Sequence, residues 1–173
     1  MNTENRCLNI GCGSDTYGTD RLDICPTSTT TIVHDVETGI PFPDNTFDEV
    51  YSKNNLEHLR NVGFHLDEIR RVLKPNGQLN LITDNAACLK YYTLGTHMGW
   101  KVGGYRKAGG LDIHFAVFTM EHLVNHISRA NLTLLDIKYM DTDYFTKHFD
   151  QIVRIFQPHL SHPRIFVRAV KTS

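Results

Sequence analysis

The chemistry-bearing residues of this chain start near its N-terminus, in Leu8-Asn9-Ile10-Gly11-Cys12-Gly13. Two glycines around one residue make a tight turn that a ligand can approach closely, because glycine has no Cβ. The turn follows a short apolar strand, Cys7 to Ile10. In open parallel sheets, ligands bind at the carboxyl ends of strands. Two acids stand at the ends of the next two strands. Asp23 closes a second strand, Arg21 to Ile24, and its carboxylate can accept hydrogen bonds from both hydroxyls of a ribose. Asp35 follows a third strand, Thr31 to His34. An acid there can meet an adenine amino group while Val36 packs on the ring. Each feature also has a plainer reading: a structural turn, a solvated strand end, a turn aspartate.

The elements that would position these residues follow from periodicity. Glu49 to Ser52, after Pro43-Asp44-Asn45, reads as a fourth strand. From Phe64 to Leu73 the apolar Leu66, Ile69, Val72 and Leu73 recur at helical spacing. Pro75-Asn76-Gly77 ends that helix, and Gln78 to Ile82 alternates as a strand does. Thr119 is a candidate N-cap for a helix with Leu123, Val124, Ile127 and Ala130 on its apolar face, and Asn131 can end it in the left-handed conformation. Leu132 to Lys138 and Ile165 to Val170 are two final strands, and Arg154, Arg164, Arg168 and Lys171, alternating with apolar residues, suit an edge strand there. Only six residues separate Gly13 from Asp20, and Pro26 to Thr30 is as short. At about 1.5 Å per residue, neither gap holds a full helix. One sheet face is therefore expected to be thinly covered. It would be exposed, covered by residues 84–118, or buried in a homodimer.

The bulk composition excludes several classes. The chain has 173 residues, 40% hydrophobic and 21% charged, with a formal net charge of -1. That suits a single domain with its own core, and no global field points to nucleic acid or a membrane. Cys7, Cys12, Cys25 and Cys88 form no C-x-x-C pair and read as reduced thiols. The polar Met1-Asn2-Thr3-Glu4-Asn5 lacks a signal-peptide apolar region, so a cytoplasmic protein is expected.

Four motifs in register resemble a class I S-adenosylmethionine-dependent methyltransferase of the compact methyltransferase domain 11 type. They are LNIGCG (8–13), LDI (22–24), HDVETGIPFPDNTFDEVYSKNNLEHL (34–59) and EIRRVLKPNGQLNLIT (68–83). The likeness returns more loosely at HFAVFTMEHLVNHISRANL (114–132). It implies an α/β, Rossmann-like, mostly parallel sheet with an antiparallel last strand, trimmed here of its first helices, and S-adenosyl-L-methionine as cofactor. It also implies that Gly11, Cys12 and Gly13 lie beside the methionine part, and that Asp23 binds the ribose with Ile24 against the adenine. Asp35 and Val36 would hold the adenine. Lys53 and Asn54 would line the sulfonium end, and His58 matches a histidine near the active-site floor. Asn9 stands where the wider superfamily usually has an acid for the cofactor's amino end, and Asn76 replaces a glycine of the usual KPGG turn.

Methyl transfer from a sulfonium needs alignment and a dry pocket more than a triad. The acceptor side is assigned to residues 84–118, with Tyr91, Tyr92, His97, Trp100, Tyr105 and His114 as candidates. Those aromatics suit a cover for the bare sheet face better still. His114 is the candidate base, because it precedes Phe115 where the chain returns to the sheet. The glycines of that segment suit a lid, and Lys101, Arg106 and Lys107 would favour an anionic acceptor. Methyl transfer to a small-molecule or glycan-like acceptor is the expected function. The alternative is a non-catalytic module of the same fold that binds S-adenosylmethionine or a partner. A nicotinamide dehydrogenase is disfavoured, because Thr16 breaks the G-x-G-x-x-G spacing.

Overall fold

The computed structural model describes residues 5–88, 114–140 and 157–172. The strands are β1 Cys7–Ile10, β2 Asp20–Asp23, β3 Ile32–Val33, β4 Phe47–Lys53, β5 Leu73–Asp84, β6 Thr133–Met140 and β7 Arg164–Val170. The helices are α1 Val62–Val72, α2 Met120–Arg129 and the short α3 Pro158–Ser161. The strands form one seven-stranded sheet in the order β3-β2-β1-β4-β5-β7-β6. β1 to β5 pair in parallel, and β7 runs antiparallel to both β5 and β6. This is the expected Rossmann-like sheet with its antiparallel strand. No described helix is long and apolar enough to cross a membrane.

The two sheet faces differ because side chains alternate along each strand. Leu8, Ile10, Val50, Leu79, Leu81, Ile165, Val167 and Ala169 share one face in register and are all buried. α1 covers that face with Val62, Leu66, Ile69 and Val72, and α2 with Leu123 and Ile127. Asn61 caps α1 by accepting from the Phe64 N–H at 3.1 Å, and Thr119 caps α2 through the His122 N–H at 3.4 Å. Asn131 ends α2 with φ 53.

The opposite face carries Cys7, Asn9, Glu49, Tyr51, Asn80, Phe166 and Arg168 in register. Among the described residues no helix covers it, and the spans after β1 and β2 hold none. Its polar groups bond to one another. Tyr17 Oη and Asn80 Nδ2 each donate to Glu49 Oε1 at 2.9 Å, and Arg168 Nε donates to Asn80 Oδ1 at 3.3 Å. The aliphatic and aromatic surface is capped by cations, with the Lys138 ammonium and the Arg168 guanidinium 5.1 and 5.6 Å from the Phe166 ring centre. The sheet thus tolerates the loss of two helices by carrying polar and aromatic residues where an apolar face would need cover.

Two details differ from the sequence reading. α1 stops at Val72, and β5 begins at once with Leu73. Pro75-Asn76-Gly77 lies inside β5 as an irregularity: the register jumps from Phe47↔Leu73 to Glu49↔Gln78. Asn76 takes φ 65 there, and a Cβ on Gly77 would sit 2.9 Å from Lys74 O. β7, with its alternating Arg164 and Arg168, is an interior strand between β5 and β6 rather than an edge. The edge is β6, because the chain returns past it to pair with β5.

Candidate cofactor cleft and active site

The turn after β1 folds back onto β2 instead of opening a helix. The Gly11 and Cys12 amides both donate to Leu22 O, at 2.8 and 3.2 Å. Gly13 then meets Asp23: its N–H donates to Asp23 Oδ2 at 2.8 Å, and the Cys25 N–H donates to Oδ1 at 2.8 Å. The carboxylate is thereby fixed by one amide on each oxygen, with lone pairs left for further donors. The hydroxyls of Thr27 and Thr29 close the turn by donating to Gly13 O at 2.6 and 2.8 Å.

Gly11 also explains how tightly the turn meets the next loop. A Cβ at Gly11 would lie 2.7 Å from Asn55 Oδ1 and 2.8 Å from Asn55 Cβ, at φ +68. Gly13 has φ +52 but nothing within 4 Å of its would-be Cβ. Gly11→Ala is therefore expected to displace the Asn55 side chain and weaken S-adenosylmethionine binding about tenfold or more. Gly13→Ala should cost only the left-handed strain, about 1–2 kcal/mol of stability. Calorimetric titration of both variants, with urea unfolding alongside, reads the contrast.

At the carboxyl ends of β1, β2 and β3 a cleft of ≈ 220 Å³ is lined by Gly11, Asp23, Ile24, Asp35, Val36, Glu37, Asn55, His58, Leu59, Arg60 and Phe115, with Leu22 and His34. A wider, shallower depression of ≈ 410 Å³ lies among Tyr17, Tyr51 and Arg168 on the bare face, away from the strand ends. The strand-end cleft is the candidate site, because it gathers an acid, apolar walls and an orphaned donor. Ile24 and Phe115 line it with 49% and 50% of their surface exposed, so both offer apolar area to a ligand. Val36 is buried behind it, and Asp35 caps the turn over Val36–Thr38 by accepting from the Glu37 N–H. Asn55 Nδ2 is buried with no acceptor among the described residues. The set suits an adenosyl group: a carboxylate held for two ribose hydroxyls, apolar faces for the adenine, and Asp35 for its amino group. The loop carrying Val36 and Ile40 is tied to α1 by Arg71, whose guanidinium donates to Ile40 O and Phe42 O at 2.8 Å each and to Glu68 at 2.7 Å.

The rim and far end of the cleft come from the loop after β4. The Arg60 amide donates to Glu37 Oε1, and its guanidinium lies 5.0 Å from the Phe115 ring centre. The Phe115 and Ala116 amides both donate to Glu57 O, at 2.8 and 3.2 Å. That bracket brings His114 edge-on to His58, with ring centres 4.6 Å apart. His114 Nδ1 lies 3.9 Å from Asp84 Oδ2. Below them Glu57 is 1% exposed and accepts from the Thr83 hydroxyl at 2.8 Å. Burial pushes the Glu57 carboxyl up to about 7, with the Asp84 charge adding to the rise and the Thr83 hydroxyl opposing it.

The structure thus brings Gly11, Asp23, Ile24, Asp35, Val36 and His58 to one cleft, with His114 against His58. Gly13 acts from behind, by holding Asp23. Four expected residues are elsewhere. Asn9 is buried on the other side of the sheet, where its Nδ2 donates to Tyr17 O at 3.1 Å; with no first helix, the 14–19 loop folds over β1 and takes that amide. Cys12 is buried with its Sγ 3.7 Å from Thr30 Oγ1. Lys53 and Asn54 are exposed outside the cleft, and Asn54 turns the chain at φ 51 so that Asn55 reaches the site instead. Tyr91, Tyr92, His97, Trp100 and Tyr105 lie outside the described residues. Asn55, Arg60 and Phe115 were not legible as site residues; only their adjacency to the Leu56-Glu57-His58 and His114 motifs signalled them.

Residues 8–81 match the methyltransferase domain family model. A 41-residue stretch is 48% identical to the uncharacterized protein YafE of Escherichia coli, covering 24% of this chain and 20% of that protein. The chain therefore matches only about a fifth of this curated relative's length. An S-adenosylmethionine-dependent methyltransferase from Mesorhizobium loti superposes with a TM-score of 0.65 at 18% identity, over 95% of this chain and 90% of that one. Phosphoethanolamine N-methyltransferase 2 of Haemonchus contortus, in complex with S-adenosyl-L-methionine, gives 0.67 at 16% identity, over 100% of this chain and 50% of that one. At such identities the structural likeness is one of fold. The family match over residues 8–81, the strand order and the cleft agree: this part of the chain is similar to a methyltransferase domain, on a Rossmann-like sheet whose strand-end cleft suits an adenosyl group.

Proposed function

We propose that this chain transfers a methyl group from S-adenosylmethionine to a small-molecule or glycan-like acceptor seated at the His58–His114 end of the cleft. The observation that supports this most is the pairing of His114 with His58, which lines the same cleft as Asp23. When bound, S-adenosylmethionine supplies the methyl group already activated on a sulfonium. Asp23 would hold the ribose and Ile24 and Val36 the adenine, and the apolar Leu59 and Phe115 would help exclude water from the cleft. His114 takes the acceptor's proton as the acceptor's lone pair bonds to the methyl carbon. The carbon–sulfur electron pair stays on sulfur, and S-adenosylhomocysteine leaves.

The expected result for His114→Ala is a kcat about a hundredfold lower, with cofactor affinity changed by less than about twofold. Transfer of labelled methyl to a component of cell extract supplies the assay and the acceptor together. Cofactor binding with no transfer to any extract component would leave the non-catalytic module as the function. Full turnover by the alanine variant would remove His114 as base.

A further inference from the structure

Beside the cofactor side of the cleft, two imidazoles and a carboxylate converge. One ligand atom each from Glu57, His58 and His114 lies within 4.8 Å of the others. We propose that these three side chains form a site for a divalent transition-metal ion, Zn2+ foremost, at the acceptor end of the cleft.

The donor set is the first argument. Two imidazole nitrogens and one carboxylate oxygen make the three-ligand arrangement that leaves a further position open for an exogenous ligand. Zinc bonds of about 2.0–2.2 Å need donor atoms about 3–4 Å apart, so side-chain rotation of less than about 1 Å closes the set. The second argument is that the site is built. Glu57 and His58 are neighbours in one turn of 3-10 helix, Leu56–His58, which fixes their spacing. The Glu57 carbonyl accepts from the two amides that follow His114, so the third imidazole is delivered by backbone bonds. The Thr83 hydroxyl on Glu57 Oε2 leaves Oε1 for the ion, and Asp84 stands 3.9 Å from His114 Nδ1 as an orienting group. The third argument is the opening. His58 lines the cleft and Phe115 forms its wall, so the open position faces the acceptor space.

An acceptor hydroxyl bound there would release its proton to solvent more readily, and as its oxygen bonds to the methyl carbon the carbon–sulfur pair would stay on the sulfur of the departing S-adenosylhomocysteine. With the ion present His114 is a ligand rather than the base. The site itself depends on neither cofactor nor methyl transfer.

The test is calorimetric titration of chelator-treated full-length protein with ZnCl2 alone, followed by CoCl2 absorption spectra. One ion per chain at micromolar affinity or tighter is expected, weakened about tenfold or more in His114→Ala and in Glu57→Gln. Glu57→Gln keeps the Thr83 bond, so it guards against an unfolded variant, and circular dichroism checks both. No saturable binding, or the same affinity in both variants, overturns the site. So does a cobalt–thiolate band, because the chain has four cysteines, besides eight further histidines among its ten, that can take zinc adventitiously. S-adenosylmethionine titrated into the metal-free protein separates the two readings. Zinc binding without cofactor binding would sink the methyltransferase reading alone, and the reverse would sink the metal site alone.

Discussion

Asp23→Asn is expected to weaken S-adenosylhomocysteine and S-adenosylmethionine binding about a hundredfold or more. Two hydroxyl donors on one carboxylate are worth about 1.5–3 kcal/mol each, and about 1.4 kcal/mol is a factor of ten. The substitution acts twice. It removes the charge and one acceptor from the ribose, and it turns an amide NH2 toward the Gly13 or the Cys25 N–H, which both donate to the carboxylate now. A cycle separates the two effects. In the wild type, the 2′-deoxy analogue of S-adenosylhomocysteine should bind about tenfold more weakly than the parent. In the Asn variant the same deletion should cost less than about threefold, because its partner has gone. Equal losses in both proteins would mean that Asp23 only shapes the turn. Urea unfolding should show the turn contribution separately, as a loss of about 1–2 kcal/mol.

The legibility of this site has a physical pattern. Asp23 and Asp35 could be read because strand ends are marked by a change from apolar to polar residues, and an acid there is conspicuous. The missing helices could be read from chain length alone. Asn9 was misplaced because strand alternation puts it on the face away from Leu8 and Ile10, where the short 14–19 loop takes its amide through Tyr17 O. The register between Lys53, Asn54 and Asn55 turned on one left-handed residue, Asn54, and single positive-φ positions other than glycine leave little mark in a sequence. Glu57 illustrates the converse limit. It looks like one more charged residue on a turn, and only the return of the chain at Phe115 and Ala116 buries it. Contacts between segments more than fifty residues apart are where pattern reading stops.

His65→Leu is expected to stabilise the protein by about 1–2 kcal/mol at pH 7, and by more in acid. His65 sits on the buried face of α1, 1% exposed, and neither ring nitrogen has a partner among the described residues. Burial without hydrogen bonds is costly, and leucine of similar volume removes that cost. Burial also drives the imidazole down to about 4, against a weaker upward pull from Glu68. The sign follows from where the proton binds. The unfolded chain takes a proton on this histidine below about 6.5, and the folded protein resists it until about 4. Stability is therefore whole above pH 6.5 and falls as the pH drops toward 4. Glu57 acts in the opposite direction: its folded carboxyl at about 7 holds a proton that the unfolded chain has released above about 4.5, so its contribution is lost as the pH rises through 7. Between pH 4.5 and 6.5 the two slopes oppose each other, and the wild type alone conceals both. The difference between wild type and His65→Leu isolates the histidine. Urea unfolding at pH 7 and pH 5 should show the variant's advantage growing by about 2 kcal/mol on acidification. An advantage that stays constant with pH would mean that His65 is protonated as easily in the folded protein as in the unfolded chain.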